Sequence, residues 1–415
     1  MVLWYCIYDT NYTSIKVFVY EFKVKPKPQQ ISAISEAIRT YQFVRNKVLR
    51  FWMDNRGVGK TEMFRYNTLL RKEFKFVSDL NSHACQTAVE RVLKAVNRFY
   101  ANCNNQIKGK KGYPKFKRNT RSLEYKFSGW KLSDDRKYIS FTDKKGIGTF
   151  KLIGSRDLNF YQLNQIKRVR ILHSADGYYV QFCVQLDPRD TIKPLTPSQK
   201  AVGIDVGIKY FLADSQGNIE HNPQFYHRGE KQLNHLNRGK SKKYRKGKPQ
   251  SQNYHRARIR YARKHLKVSR QREEFVKKVA LRLIQSNDLV VYEDLNVKGM
   301  VRNRHLAKSI FDAGWSLFCR WLDYFGYKYG KLTIAVAPHN TSQNCSNCGE
   351  KVQKSLSTRT HHCNHCGYIE DRDINAAINI LQKGLSTVGH TESYKLGEIE
   401  PLAGLEKSCS VKLCL

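Results

Sequence analysis

Two C-x-x-C pairs, Cys345 with Cys348 and Cys363 with Cys366, stand fourteen residues apart in a chain of 415. Each pair can aim two thiolates at one point, and two such pairs complete the tetrahedral all-thiolate shell that suits zinc. Gly349 and Gly367 each follow the second cysteine of a pair, where the missing Cβ lets the knuckle backbone close over the sulfurs. A shell of four thiolates has no open position, so the expected site is structural, with one Zn2+ folding a loop that lacks a core of its own.

A second set of candidate ligands is made of oxygens. Asp205 interrupts the apolar run VGIDVGIKYF, whose glycines are expected to leave the backbone close to an approaching ligand. Glu293 lies near the end of DLVVYEDL, and Asp373 opens DINAAINIL. A charge inside an apolar pattern costs stability unless it is paired or bound to a cation. An acid at the end of a buried strand also sits where open α/β sheets place ligands. Singly, each has an ordinary explanation: a turn residue, a salt-bridge partner, a helix N-cap. Together they are the set needed to hold two Mg2+ ions against a phosphodiester, since Mg2+ is a hard ion that takes oxygen ligands. Asp371 competes for the third place because the run reads D-R-D, and residues two apart on a helix do not share a face.

The overall charge agrees with such a substrate. Lys+Arg number 74 against 35 Asp+Glu, a formal +39, far beyond what solubility requires, so a polyanion is the natural partner. Aromatics at 12% and hydrophobics at 40% exclude a histone-like tail protein and put the charge on folded domains. No stretch approaches eighteen apolar residues and residues 1–16 lack the pattern of a signal peptide, so neither a membrane span nor secretion is expected. Seven cysteines stand singly, which points to a reducing compartment rather than a disulfide framework. His361, His362 and His365 could replace a thiolate, but with four cysteines available they are expected at the surface or facing nucleic acid.

The elements that must position these groups follow from periodicity. YEFKVKPKPQQ reads as a strand stopped by Pro26 and Pro28. Ile31, Ile34, Ile38, Tyr41, Val44 and Val48 then share one helical face, and Cys85, Val89, Val92, Val96 and Phe99 share another, so about residues 30–104 form a helical block. KGKKGYPKFKRN interleaves cations with Tyr113 and Phe116, as a loop gripping phosphates and stacking bases would. GYYVQFCVQL alternates, with Tyr178, Val180, Phe182, Val184 and Leu186 on the buried face, and with TFKL and KRVRIL it predicts a small barrel or sandwich. DPRDTIKPLTPSQ, with three prolines, reads as a linker. KAVGIDVGIKYFLADSQGN reads as strand, turn and strand. Residues 228–278 hold nineteen Lys/Arg against three Glu; their first half is expected to be mobile and the rest helical, with Val276, Val279, Ala280 and Leu283 on one face.

In this order, GIDVGIKYF, VVYEDLNVKGM, LAKSIFDAGWSLF, NTSQNCSNCG and DRDINAAINIL resemble the TnpB (OrfB) family, transposon-encoded proteins related to the nuclease half of type V CRISPR effectors. The resemblance runs from about Val17 to about Leu381 and is tightest in the C-terminal half; YEFKVKP and KGYPKFK match the family more loosely. It implies a multi-domain α+β and α/β protein: a wedge β-barrel with an inserted helical recognition domain, then a RuvC-like RNase H fold with an inserted four-cysteine zinc ribbon. The implied segments are an extension (1–16), the first wedge strand (17–29), the recognition domain (30–107), the wedge barrel (108–190), a linker (191–199), the nuclease (200–340 and 370–384) around the ribbon (341–369), and a disordered tail (385–415).

Carried over by motif, Asp205, Glu293 and Asp373 match the family's catalytic acids and ligands of two Mg2+. The D-x-N-A-A pattern selects Asp373 over Asp371, which is left as a cap or salt-bridge partner. The implied activity is that of an RNA-guided DNA endonuclease: a guide RNA from the transposon end pairs with one strand of a double-stranded target beside a short adjacent motif, in a prokaryotic cytoplasm and in the monomer. Lys110, Lys111, Tyr113, Lys115, Lys117, Lys242, Lys243 and Arg245 are the candidate nucleic-acid contacts, on composition alone. Two alternatives stay open: a transposase using the same acids for strand transfer, and a non-catalytic regulator binding DNA through the ribbon.

Overall fold

The computed structural model describes residues 17–107, 109–185, 195–355 and 358–387. The chain divides into two compact units, Met1–Asp187 and Pro188–Leu415. Both mix helices with sheets.

The first unit opens with β1 (Val17–Val24) and the helices α1 (Pro28–Asp54), α2 (Lys60–Glu73), α3 (Lys75–Ser78) and α4 (Ser82–Asn104). Pro28 does more than stop the strand: it is the first residue of α1, where its fixed φ suits a helix start and its missing N–H is not needed. Gln30 accepts a hydrogen bond from the Lys27 N–H at 2.9 Å and completes the entry. Ile34, Ile38, Tyr41, Val44 and Val48 are buried as the periodicity predicts, whereas Ile31, in the first turn, is 38% exposed.

Six strands follow: β2 (Ser122–Tyr125), β3 (Trp130–Leu132), β4 (Tyr138–Phe141), β5 (Gly148–Lys151), β6 (Ile166–Ser174) and β7 (Gly177–Gln185). They make a four-stranded antiparallel sheet, β1-β7-β6-β2, and a separate three-stranded sheet, β3-β4-β5, linked to β1 by the Lys23–Ile153 bridge. TFKL therefore belongs to a different sheet from KRVRIL. The alternation expected in β7 is also overturned, because residues 178–184 are all buried. Gln181, on the face expected to be polar, donates to Glu21 at 2.8 Å and accepts from Arg170 at 3.1 Å. Leu186 lies outside the described residues.

That polar layer centres on Glu124, which is 4% exposed. Its carboxylate accepts from Arg168 at 2.5 Å and from Arg170 at 2.6 and 3.0 Å, with Arg91 at 3.5 Å. Burial alone would raise its pKa, but Arg170, Arg91 and Arg168 outweigh that effect and hold it at about 2.

In the second unit β8 (Ala201–Val206), β9 (Tyr210–Asp214) and β10 (Ile219–His221) form an antiparallel meander, and β11 (Leu289–Glu293) and β12 (Leu332–Val336) run parallel to β8. The order across the sheet is β10-β9-β8-β11-β12. Between β10 and β11 come α5 (Phe225–Ser241) and α6 (Gln252–Ser286); between β11 and β12 come α7 (Val297–Met300), α8 (Ala307–Ala313) and α9 (Trp315–Tyr329). A two-stranded hairpin, β13 (Thr360–His362) and β14 (Ile369–Asp371), leads into α10 (Arg372–Thr387). No helix among the described residues is long and apolar enough to cross a membrane.

Helix α5 claims part of the segment expected to be mobile, and residues 242–251 are what separates it from α6. Its start has no cap of its own. Asp312, at the end of α8, supplies one from 86 residues away in sequence: its carboxylate accepts from Tyr226 N at 2.8 and 3.0 Å and from His227 N at 3.1 Å, and pairs with Arg272 at 3.3 Å. The end of the linker is pinned in a similar way, with Ser198 N and Gln199 N donating to Asp288 and Lys331 reaching both Asp288 and the Thr196 carbonyl. Helix α10 runs through Thr387, past the expected start of the tail at 385, because Gly384 and Leu385 are buried. Residues 1–16, the linker up to residue 194 and residues 388–415 lie outside the described residues.

Two measurements check these networks. A carboxylate whose folded pKa is near 2 and whose ordinary value is 4.5 stabilises the fold fully above pH 4.5 and loses that contribution as pH falls toward 2. Denaturation across that window should show on the order of 3 kcal/mol of pH dependence that Glu124→Gln removes. Asp312→Ala should cost about 2 kcal/mol or more in denaturant melts, and Asp312→Asn, which keeps an acceptor, less.

Candidate metal centres

Alternation along the strands decides where the acids point. A Cβ built on Gly203 would lie 2.1 Å from the Ala377 carbonyl oxygen, so that face of β8 lies directly under α10. Gly203 therefore seats a helix, where the sequence pattern predicted an opening for a ligand. Two residues on, Asp205 projects from the same face. Gly384 of α10 lies against Val291, which puts Glu293, two residues further along β11, on the α10 side too. Asp205 and Glu293 each stand one step beyond the paired Ile204 and Tyr292 of adjacent parallel strands. Asp373, in the first turn of α10, completes the set.

The three acids share one electrostatic neighbourhood. Asp205 keeps some accessible surface but is closely surrounded. Burial, and then the negative charges of Glu293 and Asp373, push its carboxyl well above the ordinary carboxylate range. Burial also raises Glu293, opposed by a 2.6 Å hydrogen bond from the Thr341 hydroxyl and by the charge of Lys383. Asp373 is held by cations: Arg372 donates from Nε and a terminal nitrogen at 3.0 and 2.9 Å, and Arg359 stands at 3.6 Å. The carboxylates are not gathered as tightly as the sulfurs described below, since among the described residues the cysteines are the group of His, Cys, Asp and Glu ligand atoms within 4.8 Å of one another. Asp371 accepts a hydrogen bond from Asp373 N at 2.8 Å and so caps α10.

The sulfurs of Cys345, Cys348, Cys363 and Cys366 all lie within 4.8 Å of one another, with Cys345–Cys366 and Cys348–Cys363 at 3.6 Å. That is far beyond a disulfide bond and close to the edge of a tetrahedron with metal–sulfur distances of about 2.3 Å, roughly 3.8 Å. Gly349 and Gly367 adopt φ of +82° and +73° and donate back to the Cys345 and Cys363 carbonyls at 2.8 and 2.9 Å, the turn each knuckle requires. His362 and His365 are exposed, but His361 is fully buried against Lys354 and Tyr368, contrary to the surface position expected of it.

The two centres meet in α10. Asn375 and Asn379 are buried, one helical turn apart. Asn375 accepts from Ser346 N and donates to the Asn344 carbonyl, both at 2.9 Å; Asn379 donates to the Thr341 and Asn344 carbonyls at 2.8 Å. These asparagines, with Thr341, Asp312 and the two arginines on Asp373, are what the sequence reading missed. Two polar residues four apart on an otherwise apolar helix face were the available signal.

The basic candidates are placed as follows. In the first unit Asn46 bonds both N–H and carbonyl of Lys117, and Arg45 donates to the Lys115 carbonyl, so the backbone of the loop is fixed to α1. Lys110, Lys115 and Lys117 are exposed, while Lys111 is half-buried and donates to the Ile107 carbonyl. Tyr113 packs on Trp52 and Phe99, and Phe116 lies under Arg50, while both rings stay about half exposed. In the second unit Lys242, Lys243 and Arg245 are exposed at the tip between α5 and α6.

A family model described as "Probable transposase" (OrfB_IS605) matches residues 181–304, and the TNB domain of Cas12f1-like proteins matches residues 315–380. A Streptomyces pristinaespiralis protein named "Putative RNA-guided DNA endonuclease" is 29% identical over 88% of this chain and 89% of its own length. The Escherichia coli protein "Putative RNA-guided DNA endonuclease InsQ" is 24% identical over 91% of this chain and 95% of its own. A solved complex of Cas12f1 with sgRNA and target DNA is similar with a TM-score of 0.49 and 14% identity, over 85% of this chain and 81% of that one. Two models cover most of the C-terminal half and relatives align along about nine-tenths of their length, so the chain is similar to proteins of the TnpB (OrfB) family.

Proposed function

We propose that this protein is an RNA-guided DNA endonuclease of a transposable element, cutting phosphodiester bonds with Asp205, Glu293 and Asp373. The observation that carries the reading is the common face: two acids at the ends of adjacent parallel strands and a third at the start of the helix lying on them. The sheet order supports an RNase H-like, RuvC-type core made of 200–340 and 370–384, with the ribbon 341–369 inserted before the last acid. Helices α1–α4 between β1 and β2, and the bridge between the two sheets of the first unit, support a wedge barrel interrupted by a recognition domain.

Asp205, Glu293 and Asp373 offer oxygen donors only, which suits Mg2+. Bound divalent ions would supply activation of a water nucleophile and neutralise the departing oxygen. The chain's own part is to aim the three carboxylates at one face, with Arg359 and Arg372 balancing Asp373. The four cysteines fit one structural Zn2+ in geometry and donor chemistry. The names of the relatives, and the exposed lysines and arginines of both units, support a guide RNA and a double-stranded DNA target as partners.

Protein purified from its host should carry an RNA that sequencing maps to the transposon end. Loaded with that RNA and Mg2+, it should cut a matching DNA to free ends; joined ends would favour strand transfer instead. Asp205→Asn, Glu293→Gln and Asp373→Asn should each lower cleavage about a hundredfold or more while RNA and DNA binding persist. Unchanged activity in Asp205→Asn would leave the regulator reading. Elemental analysis should find one zinc per chain, lost together with thermal stability in Cys363→Ser.

A further inference from the structure

Between the first cysteine knuckle and the sheet lies one side chain that bonds a candidate acid directly. Thr341 is 3% exposed and precedes Cys345 by four residues. Its hydroxyl donates to Glu293 Oε1 at 2.6 Å, a short hydrogen bond to a charged acceptor in a buried setting. Its own carbonyl accepts from Asn379 Nδ2 at 2.8 Å, and the same nitrogen donates to the Asn344 carbonyl at 2.8 Å. Asn375 closes the arrangement by gripping Asn344 and Ser346, the residues on either side of Cys345. Thr341 is thus fixed from one side by α10, the helix that carries Asp373, and from the other by the first cysteine knuckle. Its hydroxyl points to Glu293.

We infer that Thr341 is a positioning residue for Glu293, orienting its carboxylate for a divalent cation and making that orientation depend on the folded cysteine knuckle. The inference rests on the proposed role of Glu293 as a ligand. A carboxylate at a strand end has rotamer freedom that a cation must remove. A partner on one oxygen removes it in advance and leaves the other oxygen to bind. Loss of such an outer hydrogen bond lowers metal affinity by about tenfold or more. Lys383, the other group acting on Glu293, acts on its charge, whereas Thr341 bonds it directly.

The test uses the full chain and Mn2+, whose binding is read by electron paramagnetic resonance without nucleic acid or turnover. Thr341→Val should raise the Mn2+ concentration for half-saturation about tenfold, Thr341→Ala should do the same, and Thr341→Ser, which keeps the donor, should stay within about twofold of the parent. Zinc content should be unchanged in all three. The alanine variant cannot clash, so it carries the test if the valine variant fails to fold. In a Glu293→Gln background, Thr341→Ala should have little further effect, since the two changes remove one interaction. Parent-like Mn2+ binding in Thr341→Ala, with Glu293→Gln clearly weakened, overturns the positioning role and leaves the carboxylate site standing. Mn2+ binding that Glu293→Gln does not alter overturns both.

Discussion

The contact between α10 and β8 at Gly203 sets the geometry on which the rest of the second unit depends. With no side chain at 203, the Ala377 backbone comes so near the strand that a methyl group would sit inside its carbonyl oxygen. Gly384 allows the same closeness to Val291 one strand over. Between these seats, Ile380 and Leu385 join Leu289, Val291 and Val336 in a core cluster that fixes the helix by apolar burial. The position of Asp373 relative to Asp205 and Glu293 follows from this packing, and no feature of the acids themselves would produce it.

Bringing three acids together under a closely packed helix opposes the hydration that carboxylates prefer, which is why burial dominates the shift at Asp205. Cations offset the cost unevenly: Arg372 and Arg359 attend Asp373, and Lys383 acts on Glu293. The first unit shows the opposite balance, with one buried glutamate among three guanidiniums. One chain of strong positive charge therefore contains a cluster of three acids with its cations gathered mainly on Asp373, and a single buried glutamate ringed by guanidiniums.

What could be read from the sequence was whatever is encoded locally. Cysteine spacing, glycines after each knuckle, acids that break apolar strands and the helical stripe from Ile34 to Val48 all have their causes within a few residues. The features that escaped have partners far away. Asn375 and Asn379 take meaning from carbonyls 31 to 38 residues earlier, and Thr341 from a carboxylate 48 residues earlier. His361 resembles a surface histidine until Lys354 and Tyr368 close over it. The two-sided burial of β7 depends on neighbours from opposite ends of the first unit, which alternation within one strand does not register. D-R-D illustrates the boundary: the D-x-N-A-A pattern separated the two aspartates, but Asp371 as the end of a strand and the arginine between them as a clamp on Asp373 emerged only from the fold.

The borrowed cap on α5 bears on how far this protein can be trimmed. The helix that leads to the exposed basic tip begins on a residue with positive φ and takes its terminal acceptors from Asp312, on the connection between β11 and β12. Helix α8 is only seven residues of that connection and looks dispensable beside the longer α9. Shortening it for a smaller engineered version would fray the base of a hairpin it never touches in sequence, so a minimal scaffold has to retain α8 for the sake of α5.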